Sequence, residues 1–186
     1  MIYDQTLKGE KVYLRTIELS DCTETYLNWL NDKEVNQYLE TRWTEQTIEK
    51  IKDFVQSIRE SSHSYLFAVI FENKHVGNIK IGPIHPIYKC ADVSYFIGDK
   101  TVWGKGIATE AIKLVTDFGF NVLGLNKLSA GAYENNIGSR NALLKNHYRQ
   151  EGVFRKKYFL TSPDNYCDLY EFGILKSDLE QDKYDE

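Results

Sequence analysis

The chain has 186 residues, enough for one domain with a real core. Hydrophobic residues make up 42% and aromatics 13%, a globular rather than a disordered composition. A formal net charge of −4, from 23 Lys and Arg against 27 Asp and Glu, offers no broad basic surface to a nucleic acid. Cys22, Cys90 and Cys167 lie far apart, give no metal-ligand spacing and leave an odd thiol if two pair, so they read as reduced. The opening MIYDQTLKGEK is too polar for a signal peptide, and no apolar run approaches the roughly 20 residues of a membrane span. The expectation is a single cytoplasmic domain over residues 1–176, without metal, membrane or nucleic acid, and an acidic tail over 177–186 that frays.

In chain order, KVYLRT (residues 11–16) alternates like a strand. Ser20 is placed to cap a helix with Asp21 in its first turn and a stripe of Cys22, Tyr26, Leu27 and Leu30. NDKEVNQYL continues as a second short helical piece. Thr44 then starts a helix in which Ile48, Ile51, Phe54, Val55 and Ile58 recur at steps of three and four. SYLFAVIFE, VGNIKIGPI and ADVSYFIG read as three consecutive strands, with ENKH as a hairpin turn. Ile107, Ala108, Ala111, Ile112, Val115, Phe118 and Val122 predict one long helix. NKLSAGAY is a strand, GSRNALLKNH a helix, and YRQEGVFRKKYFL and YCDLYEFGIL two closing strands. The order predicts an α+β domain whose mostly antiparallel sheet holds one central parallel pair, because a strand–helix–strand step sits in its middle.

WGKGIATEA (residues 103–111) sets two glycines around a lysine just before the long helix. A helix N-terminus carries unpaired N–H groups and about half a positive charge. Gly104 and Gly106 let the backbone turn tightly and let an anion approach, with Lys105 adding charge. A plain glycine turn is the bland alternative. The spacing does not fit a Walker loop, which needs four residues between its glycines and then Gly-Lys-Ser/Thr. It fits a dinucleotide loop poorly, since Thr109 occupies the third glycine position and residues 99–103 intervene after the strand, although Glu134 could mimic the ribose-binding acid.

Four stretches together resemble the GNAT superfamily of N-acetyltransferases, in its branch similar to the ribosomal-protein N-terminal acetyltransferases. They are LKGEKVYLRTIELSD, YLNWLNDKEVNQYL, ADVSYFIGDKTVWGKGIATEAI and YENNIGSRNALLKNHYRQEG, in the family's order over nearly the whole chain. The resemblance implies a GNAT-like fold and acetyl-CoA as co-substrate. It implies that Trp103, Gly104, Lys105, Gly106, Ile107, Ala108 and Thr109 form the pyrophosphate loop. Phe96 and Ile97 would pair by main chain with the pantetheine arm and polarise the acetyl carbonyl. Asn136 would contact that arm, and Ser139 would contact it and protonate the departing thiolate.

The chain departs from the family pattern in several places. Trp103 replaces Arg or Gln, His147 replaces a glycine before Tyr148, and Leu143 stands where many relatives place a tyrosine acid. Tyr158 aligns with a glutamate that serves part of the branch. Asp92 is the implied base, with an ordinary surface aspartate as its alternative. Glu40, Arg42 and Trp43 fall in the segment that walls the acceptor pocket, and Asp168 could face it beside Tyr166 and Tyr170. His63, His75 and His85 read as solvated, Trp29 as packing its helix, and Arg155, Lys156 and Lys157 as a solvated strand end. The expected partner is a small-molecule amine or a peptide N-terminus, with monomer and homodimer both open. A non-catalytic acetyl-CoA-binding module and a dinucleotide-binding protein are the rival readings.

Overall fold

A computed structural model describes residues 1–160 and 164–181. Its strands are β1 (Leu7–Lys8), β2 (Val12–Thr16), β3 (Tyr65–Phe71), β4 (Lys74–His85), β5 (Cys90–Ile97), β6 (Lys127–Tyr133), β7 (Arg149–Phe159) and β8 (Tyr166–Leu175). They form one sheet in the order β1-β2-β3-β4-β5-β6-β8-β7. The β5–β6 pair is parallel and its neighbours are antiparallel, as the order of elements in the sequence predicts. The helices are α1 (Glu24–Asn31), α2 (Lys33–Asn36), α3 (Ile48–Glu60), α4 (Ile107–Asp117), α5 (Ile137–Leu144) and α6 (Lys176–Gln181).

At β3 the sheet is covered on both faces, which is why that strand is continuously apolar. Phe67 and Val69 turn to one face, where α4 lays down Ile107, Ala111, Ile112 and Val115. Leu66, Ala68 and Ile70 turn to the other, against Tyr26, Trp29 and Leu30 of α1 and Ile51 and Val55 of α3. A strand buried on both sides loses the usual alternation with polar residues.

Several boundaries differ from those expected, each for a local reason. Ser20 lies inside a 3₁₀ turn (Leu19–Asp21), because Arg15 grips Asp21 through two hydrogen bonds of 2.7 and 2.6 Å. Thr23 caps α1 instead, accepting from the Tyr26 N–H. Thr47, not Thr44, caps α3, and Glu40–Trp43 form a separate 3₁₀ turn. Phe54 falls on the outer side of α3 and is exposed. The long helix ends its α-helical part at Asp117 and continues as a π-helical turn, Phe118–Val122. β1 and α6 had no signal strong enough to predict them. In α6, Asp178 is buried, accepts the Leu175 N–H at 2.9 Å and meets Arg149 at 3.3 Å. Residues 182–186 of the acidic tail lie outside the described residues.

His75 is not solvated. Its ring stands edge-on to Tyr26 and Trp29, its Nε2 lies 2.8 Å from Asn78 Oδ1, and burial pushes its pKa below the ordinary value. Trp29 packs as expected, and it lies so close to Gly98 that a Cβ there would fall 2.1 Å from the indole.

Where α4 passes into its π turn, Phe118 meets Tyr3, Tyr65 and Phe67 edge-on, with centroids 4.8, 5.2 and 5.3 Å away. These rings fasten the N-terminus, β3 and α4 to one another. Replacing Phe118 by Ala should destabilise the protein by roughly 3–5 kcal/mol through cavity formation. The check is urea unfolding, in which the midpoint falls while the slope with denaturant stays constant.

Candidate active site

β5 and β6 pair only at Cys90↔Lys127, Ala91↔Leu128 and Asp92↔Ser129. Beyond Asp92 the two strands part. The far half of β5 therefore turns a main-chain edge toward a cleft of about 650 Å³ instead of toward a neighbouring strand. Val93 to Ile97 line one wall, and Gly131 to Tyr133 with the start of α5 line the other.

The glycine loop closes one end. Gly104 and Gly106 have φ of +75° and +82°, a conformation that side chains resist. A Cβ on Gly104 would meet nothing within 4 Å, so the demand for glycine there is conformational and the space over the loop is open. Gly106 is the N-cap of α4, and the N–H groups of that helix's first turn have no intrahelical acceptor. Trp103 donates its indole N–H to the Ile97 carbonyl at 2.9 Å and pins the loop to the end of β5. Lys105 is the one predicted loop residue that does not line the cleft; its ammonium lies 5.9 Å from the Phe71 ring centroid. A second cation does reach the loop. Lys11 Nζ donates to the Lys105 carbonyl at 3.3 Å, while the Lys11 N–H is held by Glu110 at 2.9 Å. Nothing in the local sequence of either partner signals that approach, which spans 94 residues.

Phe96, Ile97, Asn136 and Ser139 all line the cleft. Asn136 caps α5, its Oδ1 accepting the Ser139 N–H at 3.2 Å. The Ser139 hydroxyl lies 2.8 Å from the hydroxyl of Tyr95, a β5 residue that the sequence reading did not single out. Burial pushes the Tyr95 phenol up to about 12. Leu143 is fully buried in the core beneath α4 and takes no part in the cleft. His147 adopts φ +63°, so the chain after α5 turns in the left-handed region that favours glycine.

The acceptor-side candidates gather at the other end. The Tyr133 hydroxyl donates to Glu40 at 2.6 Å and accepts from Arg42 at 3.2 Å. Arg42 also donates to the carbonyls of Leu39 at 2.7 Å and Phe159 at 3.1 Å, and its guanidinium lies 4.3 Å over the Trp43 ring. Glu40, Arg42 and Trp43 do not line the cleft themselves; Tyr38, Leu39 and Tyr133 beside them do. Asp168 is occupied elsewhere, accepting the Lys156 N–H at 2.9 Å across a bulge of β7.

Asp92 is exposed on the sheet face opposite α4. Glu171, opposite Gly131 in the β6–β8 register, shares that face. Its carboxylate lies 3.7 Å from where a Gly131 Cβ would be. Burial and then the Asp92 charge raise its pKa above the ordinary carboxylate value. No local sequence signal marks Glu171, since only the pairing of β8 with β6 brings it near Asp92.

Residues 11–149 match the family model of the acetyltransferase (GNAT) domain. The chain belongs to the GNAT family. A probable N-acetyltransferase of Bacillus subtilis (strain 168), YjcK, is 31% identical over 184 residues, covering 94% of this chain and 99% of the relative. Among solved structures, spermidine N-acetyltransferase from Vibrio cholerae, in complex with CoA and spermine, superposes with a TM-score of 0.80 at 20% identity, covering 91% and 98% of the two chains. RimL, a ribosomal-protein α-N-acetyltransferase in complex with coenzyme A, superposes at 0.81 with 16% identity over 92% and 98%. As a member of this family the protein is an acetyl-CoA-dependent N-acetyltransferase. The mixed sheet removes the dinucleotide alternative, which requires a mostly parallel one. Among the described residues no cluster of His, Cys, Asp or Glu is arranged to hold a metal, and no helix is long and apolar enough to cross a membrane.

The open loop yields a direct test. Gly106→Asp forces a side chain into φ +82° and puts a carboxylate beside the first turn of α4. CoA affinity should fall at least ~100-fold, about 2.8 kcal/mol. The rise in melting temperature with CoA would then vanish at concentrations that stabilise the unaltered protein. An unchanged rise would remove the loop from the binding site.

Proposed function

We propose that the protein acetylates a primary amine of a small cationic molecule, with Asp92 and Glu171 drawing the amine and accepting its proton. The observation that carries this reading is the carboxylate pair on the open sheet face, where β5 and β6 part. The exposed Glu40 carboxylate adds anionic character at the acceptor end of the cleft, where the Tyr38 and Tyr158 rings pack on Tyr133. A spermidine N(1)-acetyltransferase of Escherichia coli (strain K12), 25% identical over 155 residues, supports the same substrate class.

In this reading the N–H groups of Gly104 and of Gly106 to Thr109 hold the pyrophosphate, while the Lys105 N–H is taken by the Val102 carbonyl at 3.3 Å and the Lys11 and Lys105 side chains supply positive charge nearby. The unpaired β5 edge at Phe96 and Ile97 takes the pantetheine arm as an added strand and turns an N–H toward the acetyl oxygen. An alkylamine with a pKa of about 10.4 is almost wholly protonated at neutral pH, so a base is needed before attack. Glu171 is the better base of the pair. Its proton affinity is raised by burial and by Asp92, while Lys157 and Lys127 lower it and Glu151 raises it. As the amine nitrogen bonds the acetyl carbon it sheds its second proton to water, the C–S bond breaks and the electron pair leaves on sulfur. Ser139 donates a hydrogen bond to that sulfur.

Thiol release from acetyl-CoA is the first test, with polyamines and aminoglycosides, amino-sugar nucleotides, and peptides with free N-termini as separate acceptor pools. Turnover is expected in the cationic small-molecule pool. Turnover confined to peptides would overturn the acceptor class. Silence in all three, alongside a CoA-dependent rise in melting temperature, would leave a binding module without catalysis.

The base assignment has its own signature. Glu171→Gln should lower kcat/KM about 100-fold, within the usual worth of a general base. Asp92→Asn removes a neighbouring negative charge, so the Glu171 pKa falls. The acid limb of the pH–kcat/KM profile then moves to lower pH, with a smaller loss at the optimum. The reverse pattern, a collapse in Asp92→Asn and a mere shift in Glu171→Gln, would make Asp92 the base.

A further inference from the structure

We propose that Tyr95 is a positioning residue that aims the Ser139 hydroxyl at the thioester sulfur. The inference rests on the reading of Ser139 given above and extends it to a residue across the cleft.

The geometry begins with the parting strands. Tyr95 lies three residues past Asp92, the last β5 residue paired with β6, so no strand lies directly beside it there. Its side chain crosses the gap that the parting leaves and ends at the first turn of α5. There its hydroxyl lies 2.8 Å from Ser139 Oγ and 3.2 Å from the Ser139 carbonyl oxygen. Both residues line the cleft.

Each hydroxyl has a single hydrogen. When Tyr95 donates to Ser139 Oγ, the nearer of its two acceptors, the serine hydrogen cannot point back along the same line. It is left for the cleft. The neighbouring Asn135 and Asn136 carbonyls each already accept one hydrogen bond, from the Tyr38 hydroxyl at 3.0 Å and the Arg140 N–H at 3.1 Å. With 2.8 Å between the two oxygens either hydroxyl can donate; with Tyr95 as the donor, the serine hydroxyl is held with its hydrogen toward the leaving group. This pre-orientation lowers the reorganisation required as charge develops on sulfur.

Acidity separates positioning from outright proton donation. The Tyr95 phenol, at about 12, holds its proton far more tightly than a thiol with a pKa of about 8.5. Tyr95 therefore does not surrender a proton to the thiolate. It keeps that proton on the hydrogen bond to Ser139, the serine donates a hydrogen bond to sulfur, and the released thiolate takes its proton from water. Leu143 leaves no tyrosine on α5 itself to do this work, and the hydroxyl pair is assembled from β5 instead.

The experiment compares Tyr95→Phe, Ser139→Ala and the double variant, with acetyl-CoA and with its selenoester analogue. The selenoester has nearly the same shape, but its selenol is more acidic and leaves with less help. Phenylalanine keeps the buried ring and removes only the hydroxyl. With acetyl-CoA, Tyr95→Phe should lower kcat about tenfold and leave KM for acetyl-CoA within about twofold. The double variant should be no slower than Ser139→Ala alone, since both substitutions remove one interaction. With the selenoester the Tyr95→Phe defect should shrink to less than about twofold. Equal losses with both donors, losses that multiply in the double variant, or an unchanged kcat would overturn the proposal. Failure of the parent reading looks different: Ser139→Ala would turn over acetyl-CoA at the full rate, or the unaltered protein would release no thiol with any amine. Either result would remove the role of Tyr95 as well.

Discussion

The early parting of β5 and β6 is the constraint on which the rest depends. Three parallel pairs hold the strands together, and then each goes its own way. An unpaired strand edge inside a domain is costly unless something satisfies its N–H and C=O groups. Here the edge faces a cleft large enough for a ligand to lie along it. The loop before α4 and the first turn of α5 stand at the two flanks of that gap. A helix N-terminus, a free strand edge and a hydroxyl pair are thus brought to one place by a single change of strand direction.

The two ends of the cleft are built by different physics. The loop end is set by backbone conformation and by a helix whose inner face is fully committed to the core, with Ile107, Ala111, Ile112 and Val115 all buried. Its geometry is therefore as rigid as the core beneath it. The acceptor end is held by side chains reaching across the fold. One guanidinium, that of Arg42, ties the 3₁₀ turn Glu40–Trp43 to Tyr133 and to Phe159, and its Nε has no partner among the described residues. Glu40, its only carboxylate partner there, is largely solvent-exposed, so that ion pair contributes at most about 1 kcal/mol. The wall rests on aromatic contacts and hydrogen bonds to carbonyls.

Much of the fold is legible in the chain because its signals are local. The step of three and four in α3 and α4, the run of apolar residues in β3 and the glycines before α4 each report a nearby physical need. The helices expected to start at Ser20 and Thr44 are capped by Thr23 and Thr47 instead, because several residues in each stretch can cap a helix. The ion pair between Asp21 and Arg15, six residues back, decides the first case, and the 3₁₀ turn that ends at Trp43 decides the second. β1 has only two residues, too short for any periodicity to show. His75 reads as polar and is nevertheless enclosed by Tyr26 and Trp29, which pack over it from a different element.

The sequence by itself determined the α+β order, the position of the parallel step and the loop that opens α4. Those depend on hydrophobic period, on φ at glycine and on the unpaired N–H groups of a helix start, all of which are properties of neighbouring residues. Only the tertiary structure decided which polar groups meet. Tyr95 reaches Ser139 across 44 positions, and Lys11 reaches the loop across 94. Glu171 comes beside Asp92 because β8 pairs with β6 before β7 takes the edge. A hydrogen bond or a charge pair acts over a few ångströms in space, and distance along the chain carries no record of it.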